Sequence, residues 1–447
     1  MSPANKPRLF INALGSFVDA HAIAILVLIA CLTLALNIAI IINQPPTINS
    51  GETNHWWPLI LNLIHSRGYA MCEPEYFPFC NLSNQLTASR EPVPVLIFAV
   101  VASLANQPFL AASIIEIGLF LAILLITFLL TRALANSRAA LIAALLWAVF
   151  IPGLELVPQV SGDLLACLFL TLGMFFLMRA RKTDRWRDWL SAGIGMGLGI
   201  LSRSAMIFIL PVLVFGLLWE GWAAARKQAG RFIKKLWACA LLVLVVFAMM
   251  IPWLVRNTKV FGSPVLGTTL SGYNLYRHNY MLGSDNDLRY VAGDEAHQAI
   301  LALIARLPDL RGTENEAQMN NIYMREALKV IATHPVHYAQ LVVYRFLPLW
   351  FDWQIDEAYG ARTPHLDYYE MIVQAFLLIT ALIAVWKTWK RSWPLWVTIV
   401  IYCLAYMAVV GQLRYLVGVM PLVMSVSATG CWCFVDESFK KKTQARS

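Results

Sequence analysis

Two acids and a set of arginines in this chain have types and positions that could do chemistry. Glu52 lies in Asn49-Ser-Gly-Glu-Thr-Asn-His-Trp56, about ten residues beyond an apolar run, and Gly51 lets the chain turn just before it. Asp163 lies in Pro158-Gln-Val-Ser-Gly-Asp-Leu164, where another apolar run opens. Two carboxylates at the ends of separate helices can converge on one cleft, one as a general base and the other positioning a substrate or a metal. Each also has a plainer account. An isolated Glu in a soluble protein is usually a solvated loop acid, and an Asp beside Ser161 at a helix start is equally what a helix cap looks like. Arg90, Arg203, Arg256, Arg345 and Arg414 form the third group. Guanidinium groups grip phosphate oxygens in bidentate geometry and stabilise a departing phosphate, so this set points to a phosphate-bearing ligand, with a lipid phosphate as the natural candidate.

The elements that must position these residues are membrane helices. The chain is 59% hydrophobic and only 14% charged, far from a soluble balance. Apolar runs recur at Ala22 to Ile42, Phe109 to Leu130, Ala139 to Leu156, Leu164 to Met178, Leu236 to Leu254, Met371 to Trp386, Leu395 to Val410 and Tyr415 to Phe434. Several approach the ~20 residues a helix needs to cross ~30 Å of hydrocarbon. The first is long for a signal h-region and lacks a small-x-small site after it, so it reads as a span.

A net charge of +9 raises the question of nucleic acid, but the basic residues punctuate the apolar runs instead of forming one patch with interleaved aromatics. They cluster at Lys6 and Arg8, at Arg132 and Arg138, at Arg179 to Arg187, at Arg226 to Lys235, at Lys387 to Arg391 and in the tail at Lys440, Lys441, Lys442 and Arg446. Placing every cluster in the cytoplasm satisfies the positive-inside rule and puts both termini inside. Trp189 to Leu201 and Ala205 to Trp222 then form a hairpin with Arg203 at its outer tip. The expected fold is an all-α polytopic membrane protein of about ten transmembrane helices. Val93 to Ala105 and Tyr338 to Trp350 are expected to be interfacial helices. Three units follow: residues 1–255 with a first outer segment at 43–92, a second outer segment at 256–367, and C-terminal spans with a cytoplasmic tail at 368–447.

Six of the eight cysteines sit in or beside apolar runs, where they act as small hydrophobes. Cys72 and Cys80 instead flank Glu73-Pro-Glu-Tyr-Phe-Pro-Phe79 in the first outer segment, and outside the cytoplasm such a pair is expected to form a disulfide. No CxxC, HExxH or paired zinc-ligand spacing occurs, and His278, His334 and His337 lack the spacing of a metal site. His334-Pro335 reads as a helix start.

With these residues in place, the chain resembles the GT-C superfamily of membrane glycosyltransferases, which includes protein O-mannosyltransferases and lipid A aminoarabinose transferases. Glu52 with Trp56 looks like that family's carboxylate and aromatic after the first span, although the family usually has Asp there. Arg90-Glu-Pro-Val-Pro94 is similar to its basic-and-proline signature, Ser161-Gly-Asp-Leu-Leu165 to its second acid, and Leu201-Ser-Arg-Ser204 to its Leu-Thr-Arg-Pro turn. Pro252-Trp-Leu-Val-Arg-Asn257, Ser271-Gly-Tyr-Asn-Leu-Tyr276 with Asn279, His334-Pro335 with Tyr338 and Arg345, and Arg414-Tyr415 with Pro421 continue the resemblance in order.

The resemblance implies an inverting transfer of a sugar from a polyprenyl-phosphate-linked donor to a hydroxyl of a lipid, glycan or protein acceptor. The compactness of the chain suggests a bacterial inner membrane, and the active site is expected to face the periplasm. Glu52 would be the base and Asp163 a supporting acid. Arg90, Arg256, Arg345 and Arg414 would hold the lipid phosphate, Trp56 would bind substrate, and Tyr276 and Asn279 would touch the sugar or cap the loop. No cofactor is required, and a divalent metal stays open because some members use one and others do not. Two other classes share part of the pattern. A lipid-linked-sugar transporter or flippase would show paired broken helices in two related halves, and no such pair is found. A polysaccharide polymerase or ligase usually places one large outer loop late in the chain, whereas here the first outer segment also carries leading candidates.

Overall fold

The computed structural model describes residues 18–48, 51–80, 85–226, 230–283, 288–291, 293–308, 310–353 and 364–444 of the chain, with side chains throughout these except 364–367 and 433–444. Lys6, Arg8, Lys227, Cys433, Lys440, Lys441, Lys442 and Arg446 therefore lie outside the described side chains. The architecture is helical from end to end. A single antiparallel bridge between Ala70 and Leu86 is the one strand-like pairing among the described residues.

In chain order the helices are α1 (Ala22–Asn43), α2 (Thr53–Ile64), α3 (Pro92–Ser103), α4 (Pro108–Leu134), α5 (Ser137–Ala148), α6 (Ile151–Leu154), α7 (Asp163–Thr183), α8 (Trp186–Ile200), α9 (Ile209–Ala225) and α10 (Gly230–Phe261). After them come α11 (Ser271–Arg277), α12 (Gly293–Ala305), α13 (Glu316–Thr333), α14 (Pro335–Tyr344), α15 (Phe346–Phe351), α16 (Pro364–Val409), α17 (Leu413–Leu416) and α18 (Met420–Gln444). Among the described residues, seven stretches are long and apolar enough to cross a bilayer: α1, α4, α7, α9 with its leading turn, α10, most of α16, and Leu413–Trp432.

The charged residues show how these helices share two ends. At one end Arg138 pairs with Asp19 at 2.6 Å, Arg181 pairs with Glu220 at 2.7 Å, and Arg391 donates to the Leu134 carbonyl at 2.9 Å. At the other end lie Glu52, Asp163, Arg203 and Arg414. The 46 residues of α16 would reach ~69 Å if straight, more than twice the hydrocarbon thickness. They double back instead. Tyr369, Glu370 and Gln374 lie beside Phe150 and Pro152, past the end of α5 away from Arg138; Arg391 sits at the basic end; and the carbonyls of Met407 and Ala408 accept from Arg345 on the opposite side again. With α16 counted as two arms, and with the shorter α5 and α8 bridging the same two ends, the described residues pass from end to end ten times. The helix over Pro92–Ser103 is 12 residues long, as befits an interfacial element, and the second expected interfacial stretch is two short helices, α14 and α15, hinged at Arg345.

Small residues let the spans approach. A Cβ added to Gly195 on α8 would meet the backbone nitrogen and Cα of Gly173 on α7 at 2.7 Å, so the two helices touch backbone to backbone. In lipid, where apolar contact with neighbouring tails competes equally, such close packing is what drives helices together. Around it lies the main core, where Trp147 stacks on Phe120 at 4.9 Å and donates its indole N–H to the Phe120 carbonyl at 3.0 Å. A separate aromatic cluster of Tyr76, Phe77, Tyr273, Tyr276 and Tyr323 joins the first outer segment to α11 and α13.

Gly195→Val forces α7 and α8 apart. The expected loss is about 1–3 kcal/mol or more, seen as a lower melting temperature of the detergent-solubilised protein, while Gly118→Ala, where an added Cβ meets nothing within 4 Å, leaves it unchanged.

Candidate active site

At the end of the bundle opposite the basic residues, two acids from distant parts of the chain share one guanidinium. Arg414, at the start of α17, places Nη1 2.7 Å from Glu52 Oε1 and Nε 3.9 Å from Asp163 Oδ2. Asp163 is also held by Arg203 from the tip of the α8–α9 hairpin, whose Nε donates to Oδ1 at 2.8 Å. Asp163 is thus an ion-pair partner, and the N-cap position belongs to Gly162 with no side-chain cap bond.

The local chain explains why Glu52 faces this way. Gly51 has φ of +51°, a conformation that side chains rarely adopt, and a Cβ there would collide with the Gln159 amide. Gln159 instead accepts from the Glu52 backbone N–H at 3.2 Å, which ties the head of α2 to the segment leading into α7. Trp56, one turn along α2 and fully buried, donates its indole N–H to Glu52 Oε2 at 3.3 Å. Burial by itself raises the Glu52 carboxyl, but the combined fields of Arg414, Arg203 and Arg90 outweigh it and hold the group well below the usual carboxylate range.

A second layer comes from the first outer segment. Cys72 and Cys80 are joined as a disulfide with Cα atoms 5.6 Å apart, and the loop they close carries Glu73. Its carboxylate accepts from Arg90 at 2.8 Å and meets His55 Nδ1 at 3.2 Å. Burial raises the Glu73 carboxyl, and Arg90 with His55 more than reverse this, leaving it lowered. Tyr76 from the same loop lies 5.7 Å from the Arg90 guanidinium. The next residue, Glu91, accepts from the Ser204 backbone N–H at 2.8 Å and fixes the hairpin tip that presents Arg203. Beneath Asp163, the fully buried Glu116 accepts from the Ser161 N–H at 3.3 Å.

The structure therefore gathers Glu52, Asp163, Arg90, Arg414 and Trp56 in one place, and it adds Arg203, Glu73, His55 and Glu91. Arg256 and Arg345 lie elsewhere in the framework. Arg256 donates to the carbonyls of Thr87 at 2.6 Å and Tyr69 at 3.1 Å and stacks on Trp253 at 5.1 Å. Arg345 is buried against Asn279 Oδ1 at 3.1 Å and the carbonyls of His278, Met407 and Ala408. Tyr276 accepts from Arg306 at 2.9 Å, and Asn279 bonds Leu275 and Arg345, so both brace the α11 region. Glu73 and His55 carried signals that the pattern reading passed over: one adjoins a disulfide cysteine, and the other lies three residues from Glu52, on the same helical face. Glu52, Asp163 and Glu73 each face a guanidinium, and no group of three His, Cys, Asp or Glu in metal-ligand arrangement occurs among the described residues.

Asp163→Asn leaves Arg203 largely buried without its counter-ion. By the behaviour of buried pairs it is expected to cost about 3–5 kcal/mol, read as a fall in melting temperature that Asp163→Asn with Arg203→Gln largely reverses. Glu316 gives a pH signature. In the first turn of α13 it accepts from the Ala88 N–H at 2.9 Å and Thr269 Oγ1 at 2.8 Å, and burial pushes its carboxyl up to about 7 from an ordinary 4.5. The folded chain binds this proton more tightly than the unfolded one, so the stability it contributes is fully present below pH 4.5 and is lost as pH rises to about 7. Melting curves from pH 4.5 to 7.5 are expected to show that decline in the wild type and a flatter course in Glu316→Gln.

Residues 89–255, less than half of the chain, match the family described as dolichyl-phosphate-mannose-protein mannosyltransferase. No curated protein matches. The archaeal oligosaccharyltransferase AglB from Archaeoglobus fulgidus, in complex with an inhibitory peptide and a dolichol-phosphate, superposes on 96% of this chain with a TM-score of 0.57 and 16% identity. The same enzyme tethered to an acceptor peptide aligns over 94% with a TM-score of 0.57 and 15% identity. This chain spans about half of the oligosaccharyltransferase, 52% in the first alignment. ArnT from Cupriavidus metallidurans, bound to undecaprenyl phosphate, aligns over 91% of this chain and 77% of its own length at 11% identity and a TM-score of 0.40. The chain therefore shares the fold of the archaeal oligosaccharyltransferase over nearly its whole length and carries a mannosyltransferase-family segment at residues 89–255.

Proposed function

We propose that this protein is an inverting glycosyltransferase that moves a sugar from a polyprenyl-phosphate-linked donor to an acceptor hydroxyl on the extracytoplasmic face of the membrane. The observation that carries this reading is Arg414 held between Glu52 and Asp163, a carboxylate and guanidinium centre assembled at the end of the bundle away from the basic residues. By the positive-inside rule the basic end faces the cytoplasm, which leaves the centre outside. The family match over residues 89–255 and the dolichol-phosphate complex of the archaeal fold neighbour support a lipid-borne donor.

The chemistry follows from the side chains. Inversion needs the acceptor oxygen to attack the anomeric carbon from the face opposite the departing phosphate. Glu52 is the group that engages the acceptor O–H, and Asp163 sets the Arg414 and Arg203 guanidinium groups around it. The leaving phosphate gains negative charge as its bond to the sugar breaks, and fixed guanidinium groups stabilise that charge without reorganising. Arg414 Nε, buried without a hydrogen-bond acceptor, has an N–H available for it, with Arg90 alongside. Arg256 and Arg345 support the segments that carry these groups.

The test incubates purified protein with a panel of polyprenyl-phosphate sugars and measures released polyprenyl phosphate. Wild type is expected to turn over at least one donor. Glu52→Gln is expected to lower kcat by about 10²–10⁴-fold with melting behaviour intact. A folded wild type inert on every donor, or a Glu52→Gln variant of full activity, overturns the proposal.

A further inference from the structure

Glu52 is well placed to touch an acceptor hydroxyl and poorly suited to keep its proton. Its two oxygens are engaged by Arg414 at 2.7 Å and the Trp56 indole at 3.3 Å. A carboxylate fixed among guanidinium groups is a weak base, and base catalysis works best from a group that titrates near the working pH. The structure supplies another acceptor three residues along.

Glu52 has helical backbone angles, φ −72° and ψ −20°, and the His55 N–H donates to its carbonyl at 3.0 Å. Residues spaced by three on a helix share a face, so the imidazole stands beside the Glu52 side chain. The ring is held from behind. Nδ1 meets Glu73 Oε1 at 3.2 Å, Glu73 is fixed by Arg90 at 2.8 Å, and the Cys72–Cys80 disulfide closes the loop that carries it. Tyr76 from that loop lies 5.9 Å from the imidazole, centroid to centroid. The side chain is 28% exposed, and Nε2 has no partner among the described residues. A carboxylate on Nδ1 selects the tautomer with its proton there, which leaves the lone pair on the open nitrogen.

We propose that His55 is the proton acceptor of this site, held by Glu73 as a carboxylate–imidazole dyad beside Glu52. This rests on the transferase reading above. The acceptor O–H, oriented by Glu52, gives its proton to His55 Nε2 as its oxygen bonds to the anomeric carbon. The bond from that carbon to the phosphate oxygen breaks, and its electron pair leaves with the lipid phosphate. The imidazolium, balanced by Glu73, then returns the proton to water. The charged and titratable groups facing the ring are Glu52 on its own helix, Glu73 and Tyr76 on the disulfide loop, and Arg90, which shares the Glu73 carboxylate.

Two measurements on the full chain test this. In the first, release of polyprenyl phosphate is followed against pH for wild type, His55→Gln and Glu73→Gln. His55→Gln is expected to cut kcat about 10²-fold or more, leave KM within about twofold, and abolish the rise of kcat with pH. Glu73→Gln is expected to lower kcat as well, because the ring has lost the carboxylate that sets its tautomer and orientation. A His55→Gln variant with wild-type kcat and pH profile overturns the proposal. The second measurement needs no donor: diethyl pyrocarbonate modification of the folded protein, read by peptide mass. His55 is expected to react at Nε2, the open ring nitrogen, and Glu73→Gln, which releases Nδ1, is expected to let both ring nitrogens react. A His55 that stays unmodified while the exposed His65 reacts overturns the dyad. Failure of wild type on every donor would count against the transferase reading, and the modification data would then decide the dyad alone.

Discussion

A guanidinium shared by two carboxylates at the edge of a bilayer leaves the surrounding chain little freedom. Arg414 comes from the turn before the last span, Glu52 from the head of a helix after the first, and Asp163 from the start of α7. None can drift without stranding a partner. At the border of hydrocarbon an unpaired charge is costly, so each acid is matched by a guanidinium and each guanidinium is aimed. Gly51 in its left-handed turn, the Gln159 contact and the Glu91 contact at the hairpin tip are the devices that hold these aims.

The first outer segment extends the same logic into water. Its helix α2 buries Trp56, Trp57, Leu59 and Ile60 against Val95 and Phe98 of α3. The disulfide shortens the loop between Cys72 and Cys80, and the aromatic cluster of Tyr76, Phe77, Tyr273 and Tyr323 anchors it to α11 and α13. Glu73 thereby reaches inward to Arg90 and His55. Two layers result: an inner one of Glu52, Asp163, Arg203 and Arg414, and an outer one of Glu73, Arg90 and His55. The inner layer concentrates fixed charge, and the outer layer holds an imidazole against a carboxylate.

Arginines in this protein have two distinct tasks. Those beside the acids are parts of an electrostatic centre. Arg256 and Arg345 work as multi-pronged donors to backbone carbonyls, closing the ends of irregular segments where no helix partner exists. A planar group with five N–H donors serves both purposes, which is why residue type did not separate the two.

Composition and the placement of charge along the chain determined the polytopic helical fold, because a helix that must satisfy its own backbone in lipid needs a long apolar run, and the basic clusters between runs set which ends lie together. The hairpin with Arg203 at its tip and the short interfacial α3 were legible for the same reason. The candidate acids Glu52 and Asp163 were visible as charge next to hydrocarbon. Their partners were decided by tertiary structure. Arg414 lies 362 positions from Glu52 along the chain, and Arg203 lies 40 from Asp163, so no local pattern links them. The same holds for Glu73, a loop acid by sequence that a disulfide turns inward, and for Asp163, which reads as a helix cap until Arg203 takes its carboxylate. Local sequence sets where a helix can begin and which residues stand at its end; only the packing of ten passes against one another decides which of those ends meet.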